Sequence, residues 1–281
     1  MTRPAILVSN DDGVQAAGIR ALAEGLEQLG EVWVVAPDRE RSATSHAISL
    51  HKPLRIKAVA ERTFAVDGTP TDCVYMALLR LMERPPALVV SGINHGPNLG
   101  NDVLYSGTVS AAMEAALYGH RALAISLCAP EIPTPAASAW HFDTARVVAC
   151  DLAAAVLAQQ MPPGVLLNVN VPNVPEADLR GSKLCRLGYT DWTDAVDERH
   201  DPRGKPYYWI GGERLGHDDI VDSDNNAVRD GFVSMTPVHY DLTDYRAFSY
   251  VRALRTQRIA RVPDGLGDDP LAHPLLPRGR P

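Results

Sequence analysis

Apolar runs of strand length alternate with helix-period segments along the first half of the chain. The runs 5–9, 32–36, 87–91, 122–127 and 165–169 are nearly continuous in Ala, Val, Leu and Ile. Between them, residues 18–29 place Ile19, Leu22, Leu26 and Leu29 at helical spacing. Residues 71–82, 109–118 and 145–158 predict three further helices. The first of these opens from Asp67-Gly68-Thr69-Pro70, which has turn and cap chemistry. Strands that are apolar on both faces and alternate with helices pair in parallel, with both sheet faces covered. The expected fold is a three-layer α/β/α domain.

The pattern changes after about residue 172. Ten of the seventeen aromatic residues lie between Tyr189 and Tyr250, among prolines, glycines and charges. Residues 205–210, Lys-Pro-Tyr-Tyr-Trp-Ile, predict a strand in a hairpin-like excursion. Aromatic enrichment leaves two readings of this region, a subunit interface or a loop-rich cover on the main sheet. The expected division is a catalytic core over 1–172, an appendage over 173–262 and a mobile tail over 263–281, the last rich in Pro, Gly and Asp. With 281 residues and 46% hydrophobic content, one large domain with an appendage has enough apolar surface for its core.

Charge and cysteine content narrow the function classes. A net charge of −7 argues against a binder of nucleic-acid polymer, yet leaves small anionic substrates open. Cys73, Cys128, Cys150 and Cys185 form no C-x-x-C pair and read as buried, reduced thiols of a cytoplasmic protein. The first apolar run is too short for a signal peptide, and no run reaches the ~20 residues that span a bilayer.

Candidate chemistry sits where strands end. The first strand runs into Asn10, Asp11, Asp12 and Gly13. The second is followed by Pro37-Asp38-Arg39-Glu40-Arg41-Ser42, and the third by Gly92-Ile93-Asn94-His95-Gly96-Pro97-Asn98. In a parallel sheet these clusters share the carboxyl edge, where ligands of open α/β folds bind. Adjacent carboxylates repel unless a cation or a proton relieves them. An oxygen-rich set of carboxylates, a hydroxyl and an amide carbonyl suits Mg²⁺ or Mn²⁺ better than zinc. Downstream, Ser106-Gly107-Thr108 leads into a helix, a turn that can bind an anion or simply cap the helix. No G-x-x-x-x-G-K-[ST], G-x-G-x-x-G or G-x-S-x-G pattern occurs, against P-loop, dinucleotide and α/β-hydrolase chemistry. His46 and His51 read as surface histidines, and the His217-Asp218-Asp219 run as a solvated loop rather than a second metal site.

The segments ILVSNDDGVQAAGI, VVAPDRERSATSHAIS, VDGTPTDCV, VVSGINHGPNLGNDVLYSGTVSAAMEAAL and GFVSMTPVHYDLTDY follow in that order. Together they resemble the SurE family, the stationary-phase survival proteins that are metal-dependent 5′-nucleotidases. The resemblance runs from the first strand to about residue 250. It implies a Rossmann-like fold whose carboxy-terminal segment exchanges between subunits, giving a homodimer or homotetramer. It implies hydrolysis of nucleoside monophosphates, with 3′-nucleotides and short polyphosphate as further substrates of some members. Carried over residue by residue, it implies one divalent cation per subunit on Asp11, Asp12, Ser42 and Asn94, with Asp11 and Asp12 catalytic. Phosphate contacts fall on Asn98, Ser106, Gly107 and Thr108, and His95 receives no role. The nucleophile is either a water activated by Asp11 or Asp11 itself. A metal-dependent phosphatase for non-nucleotide phosphoesters fits the residues equally well; a nucleotide-binding regulator without turnover is a second alternative, against which the carboxylate pair argues.

Overall fold

The computed structural model describes residues 3–129, 139–193, 195–212 and 214–254. The tail expected over 263–281 lies outside them. In chain order the first elements are β1 (Ala5–Ser9), α1 (Ala17–Leu26), β2 (Glu31–Pro37), β3 (Ile56–Ala60), β4 (Thr63–Val66), α2 (Pro70–Met76) and β5 (Leu88–His95). They continue with α3 (Gly107–Leu117), β6 (Ala122–Cys128), α4 (Phe142–Ala158) and β7 (Val165–Pro172). Then come β8 (Ser182–Leu184), β9 (Thr190–Trp192), β10 (Ala195–His200), β11 (Pro206–Gly211), β12 (Arg214–His217), α5 (Asp224–Arg229), β13 (Val233–His239) and α6 (Phe248–Ala253).

A nine-stranded sheet in the order β3-β4-β2-β1-β5-β6-β7-β13-β8 forms the middle layer. Strands β4, β2, β1, β5, β6 and β7 run parallel. Burial of every residue of β1 follows from a strand covered on both faces. On one face, Ile19, Leu22 and Leu26 of α1 pack with Ala145, Ala149 and Ala153 of α4 over Ile6 and Val8. On the other, Cys73 and Val74 of α2 and the alanines of α3 pack over Leu7 and Val89. The expected three layers are therefore present. Register places Ser9 beside Ser91 and Val8 beside Val34, so β1, β2 and β5 release their polar loops side by side.

Several elements differ from the sequence reading. The helix expected over 71–82 is α2 followed by a π-helical turn, Ala77–Leu81. The edge pair β3–β4 had no strong signal, because β3 is mostly exposed and carries Lys57. Strand β13 lies antiparallel to β7 and contains Pro237, a residue that argues against a central strand. The proline is tolerated because β8 pairs only with Val233, Ser234 and Met235, so that among the described residues no strand flanks Pro237 on that side. Residues beyond 172 thus extend the main sheet as well as forming the β9–β12 and β10–β11 hairpins. The β10–β11 hairpin is exposed along its whole length.

Candidate active site

The turn after β1 is closed by its own asparagine. Asn10 accepts a hydrogen bond from the Gly13 N–H (3.2 Å) and donates to the Gly13 carbonyl (3.1 Å). Gly13 has φ +99°, and a Cβ there would come within 3.0 Å of the Arg39 backbone. Glycine is therefore required where the loop after β2 crosses the loop after β1. That crossing is fastened by the Arg41 N–H on the Asp11 carbonyl (2.7 Å).

Asp11 is 5% exposed and sits against the amino terminus of α3. Its Oδ2 accepts from the Thr108 N–H at 3.2 Å, and its Oδ1 accepts from the Thr108 hydroxyl at 2.5 Å. Ser106 caps the same helix by accepting from the Val109 N–H (3.0 Å). A Cβ on Gly107 would lie 2.7 Å from the Asp11 Cβ, so the carboxylate occupies space that only glycine leaves open. The helix end and Thr108 favour the ionised form, but burial outweighs them. Burial, with the Asp12 charge adding to it, raises the Asp11 pKa to about 6.

Asn94 comes to Asp11 through a β-bulge. Between β5 and β6 the register shifts from Ser91–Ala124 to Asn94–Ser126, one extra residue that re-aims the strand end. The Thr108 hydroxyl then lies 3.3 Å from Asn94 Oδ1, while Asn94 Nδ2 donates to the Gly96 carbonyl (2.9 Å). Asp12 accepts from the His95 N–H at 3.2 Å. The structure thus gathers Asp11, Asp12, Asn94, Gly107 and Thr108.

Two expected residues are held otherwise. Ser42 is exposed and its hydroxyl donates to Glu40 (2.8 Å). Its loop reaches the site through the backbone of Arg41 and is strapped to the helices by His46 on the buried Glu114 (2.7 Å) and by the Ser49 N–H on Asp72 (2.8 Å). Asn98 is buried and its Nδ2 donates to the Ser126 hydroxyl (2.7 Å). The Asn98 N–H donates to Asn170 Oδ1 (2.8 Å), and its carbonyl accepts from Asn168 (2.8 Å) and Asn170 (3.0 Å). The sequence reading missed Asn168 and Asn170. Their signal was available: two asparagines interrupt a strand that is buried throughout its second half. The His217-Asp218-Asp219 run is ordered by neighbours, with Asn226 bridging His217 (3.1 Å) and Asp219 (2.8 Å).

Among the described residues, no three His, Cys, Asp or Glu side chains converge. A metal at the strand edge would therefore rest on two carboxylates plus neutral oxygens. That donor set fits a hard divalent cation and not a zinc site. A buried carboxylate stands beside a second one at a helix amino terminus, on the carboxyl edge of a parallel sheet where ligands of open α/β folds bind.

Comparison with known proteins agrees with this α/β fold. The family model described as survival protein SurE matches residues 6–194. A protein of Anaeromyxobacter dehalogenans (strain 2CP-C) named 5′-nucleotidase SurE is 55% identical over 251 residues, 88% of this chain and 94% of its own. One of the same name from Myxococcus xanthus (strain DK1622) is 53% identical over 244 residues, covering 85% and 89%. The crystal structure of the SurE protein from Aquifex aeolicus superposes with a TM-score of 0.77 at 40% identity, covering 89% of this chain and 98% of that one. The chain belongs to the SurE family.

Proposed function

We propose that this protein is a metal-dependent 5′-nucleotidase that hydrolyses nucleoside 5′-monophosphates to nucleoside and inorganic phosphate. The observation that carries the reading is the Asp11 carboxylate, buried beside Asp12 at the amino terminus of α3. A carboxylate pair repels phosphate unless a cation intervenes, so a mere phosphate-binding protein has no use for it. Curated relatives that cover most of this chain carry the name 5′-nucleotidase SurE, which supports the same reaction here.

Asp11, Asp12 and Asn94, with Ser42, would hold one Mg²⁺ or Mn²⁺ per subunit. When bound, such an ion offsets the charge that builds on the phosphoryl oxygens. The phosphate would lie at the first turn of α3, against Ser106, Gly107 and Thr108, drawing the Thr108 donors from Asp11; Asn98 would join it by giving up its bond to Ser126. A water attacks phosphorus while Asp11 takes its proton; the P–O bond to the nucleoside breaks, and the proton held by Asp11 passes to the leaving oxygen. The described cysteines are free and buried, which fits a reducing compartment such as the cytoplasm. No helix among the described residues is long and apolar enough to cross a membrane. The exposed β10–β11 hairpin, with Trp209 60% and Ile210 93% exposed, supports a homodimer or homotetramer built through it.

The test is phosphate release from nucleoside 5′- and 3′-monophosphates and from a simple alkyl phosphate, with chelator, Mg²⁺ or Mn²⁺. Metal-dependent release that prefers 5′-nucleotides is expected. Equal release from the alkyl phosphate would point to a general phosphatase. Tight phosphate binding without metal or turnover would point to a regulator.

A further inference from the structure

The residues assigned above hold the phosphate, and the nucleoside has no partner among them. One aromatic cluster continues from the site. His95 follows Asn94, donates its N–H to Asp12 (3.2 Å) and places its ring Nδ1 3.4 Å from the same oxygen. Trp140 and Phe142 meet the His95 ring edge-on, at centroid distances of 5.0 and 4.6 Å. They also stack on each other at 5.9 Å, with 19° between their planes. Phe142 packs against the core, whereas Trp140 remains 41% exposed.

The turn that carries Trp140 is pinned at both sides. The His141 N–H donates to Asn173 Oδ1 (2.8 Å), and Asn173 Nδ2 donates to the Ala139 carbonyl (3.0 Å). Thr144 adds a bond to the Val174 carbonyl (2.9 Å). A large indole kept open to solvent on a fastened turn is not required by packing. Its fixed position lowers the entropy lost when another ring stacks on it. Contacts run in order from the α3 amino terminus to Asp11, Asp12, His95 and Trp140. A phosphate held at the first of these directs the remainder of its ester toward the last.

We propose that Trp140, backed by Phe142 and His95, is the surface on which the substrate's nucleobase stacks. The inference rests on the nucleotidase reading. Every base has a π-face, so such a wall accepts all four nucleotides and favours purines through their larger ring area. It makes Trp140 a specificity residue for nucleotides against phosphoesters that lack a base.

The test uses the metal-loaded enzyme and three substrates: a purine nucleoside 5′-monophosphate, a pyrimidine one and ribose 5-phosphate. Trp140→Ala is expected to raise KM for the purine nucleotide about tenfold, and for the pyrimidine less. Turnover of ribose 5-phosphate and kcat for the nucleotides should stay near wild type, and Trp140→Phe should restore most of the loss. A parallel loss on ribose 5-phosphate would assign Trp140 a purely structural role and overturn the wall. An unchanged KM for both nucleotides in Trp140→Ala would place the base elsewhere. Wild-type turnover of ribose 5-phosphate but of neither nucleotide would defeat the nucleotidase reading itself, and the wall with it.

Discussion

The end of β5 reaches Asp12 through the His95 N–H (3.2 Å), and the loop after β2 reaches Asp11 through the Arg41 N–H (2.7 Å), yet the loops that follow these two strands are fastened by different means. In the first, the Asn98 backbone is tied to Asn168 and Asn170 of β7. Farther along, the Gly100 N–H donates to the buried Asp224 (2.9 Å), Asn101 exchanges two bonds with the Thr190 backbone, and Trp192 donates to Asp102 (2.9 Å). Those partners come from β7 and from the segment beyond residue 172, so the far end of the chain helps to fix the loop after β5. In the second, Ser42, Ala43, His46, Ala47 and Ile48 are exposed. The strap is held by backbone bonds and by the His46–Glu114 pair (2.7 Å). The contrast is one of fastening: buried side-chain bonds fix the Asn98 loop, whereas the loop carrying Ser42 is largely exposed and held at fewer points.

The largest expected effect lies between the two loops. Asp12→Asn should lower metal-dependent phosphate release about a thousandfold and leave the far-ultraviolet circular dichroism and Tm near wild type. Retained turnover at saturating metal would remove Asp12 from the chemistry.

The next effect concerns Asp11 and pH. Its folded pKa of about 6 stands above the ordinary 3.8, so the fold disfavours the ionised form. The stability contributed by this group is therefore full below pH 3.8 and is lost as pH rises to about 6. In metal-free protein above pH 6, Asp11→Asn should be more stable than wild type by up to ~3 kcal/mol. The difference should close below pH 4. Urea titrations at several pH values measure it, and a pH-independent difference would show that burial is not the cause.

Two smaller effects sharpen the comparison of the loops. Asn170→Leu leaves the buried Asn98 N–H without its acceptor and should cost about 2 kcal/mol in stability, with a higher KM for nucleotide. Ser42→Ala should keep stability within ~0.5 kcal/mol and lower kcat/KM about tenfold. If Ser42→Ala destabilised the fold as much as Asn170→Leu, the two loops would not differ as described.

The central sheet was legible because β1, β2, β5, β6 and β7 are nearly continuous apolar runs, three of which, β1, β2 and β5, lead into conspicuous polar clusters. The carboxylate pair Asp11 and Asp12 could be read from position, directly past the end of the first strand, whereas Asn94 was singled out only through the family resemblance. The alanine-rich face of α3 and the capping box of Thr69 and Asp72 at α2 also follow from local chemistry. What sequence could not show depends on distant partners. The antiparallel placement of β13 carries no local signal, and Pro237 conceals it. Asn168 and Asn170 matter only because the fold lays the Asn98 loop across them. Trp140 reads as one aromatic among many until its ring is seen beside His95. Ser42 is turned to Glu40 by the conformation of its loop, which residue type alone does not reveal.

The most direct test of the account is phosphate release from a nucleoside 5′-monophosphate, followed against added Mg²⁺ or Mn²⁺ in wild type and Asp12→Asn side by side. The account expects saturable metal activation in wild type, silence with chelator, and near-complete loss in the variant. Release that ignores both the metal and Asp12 would contradict it, and the paired carboxylates at the end of β1 would then serve some other reaction.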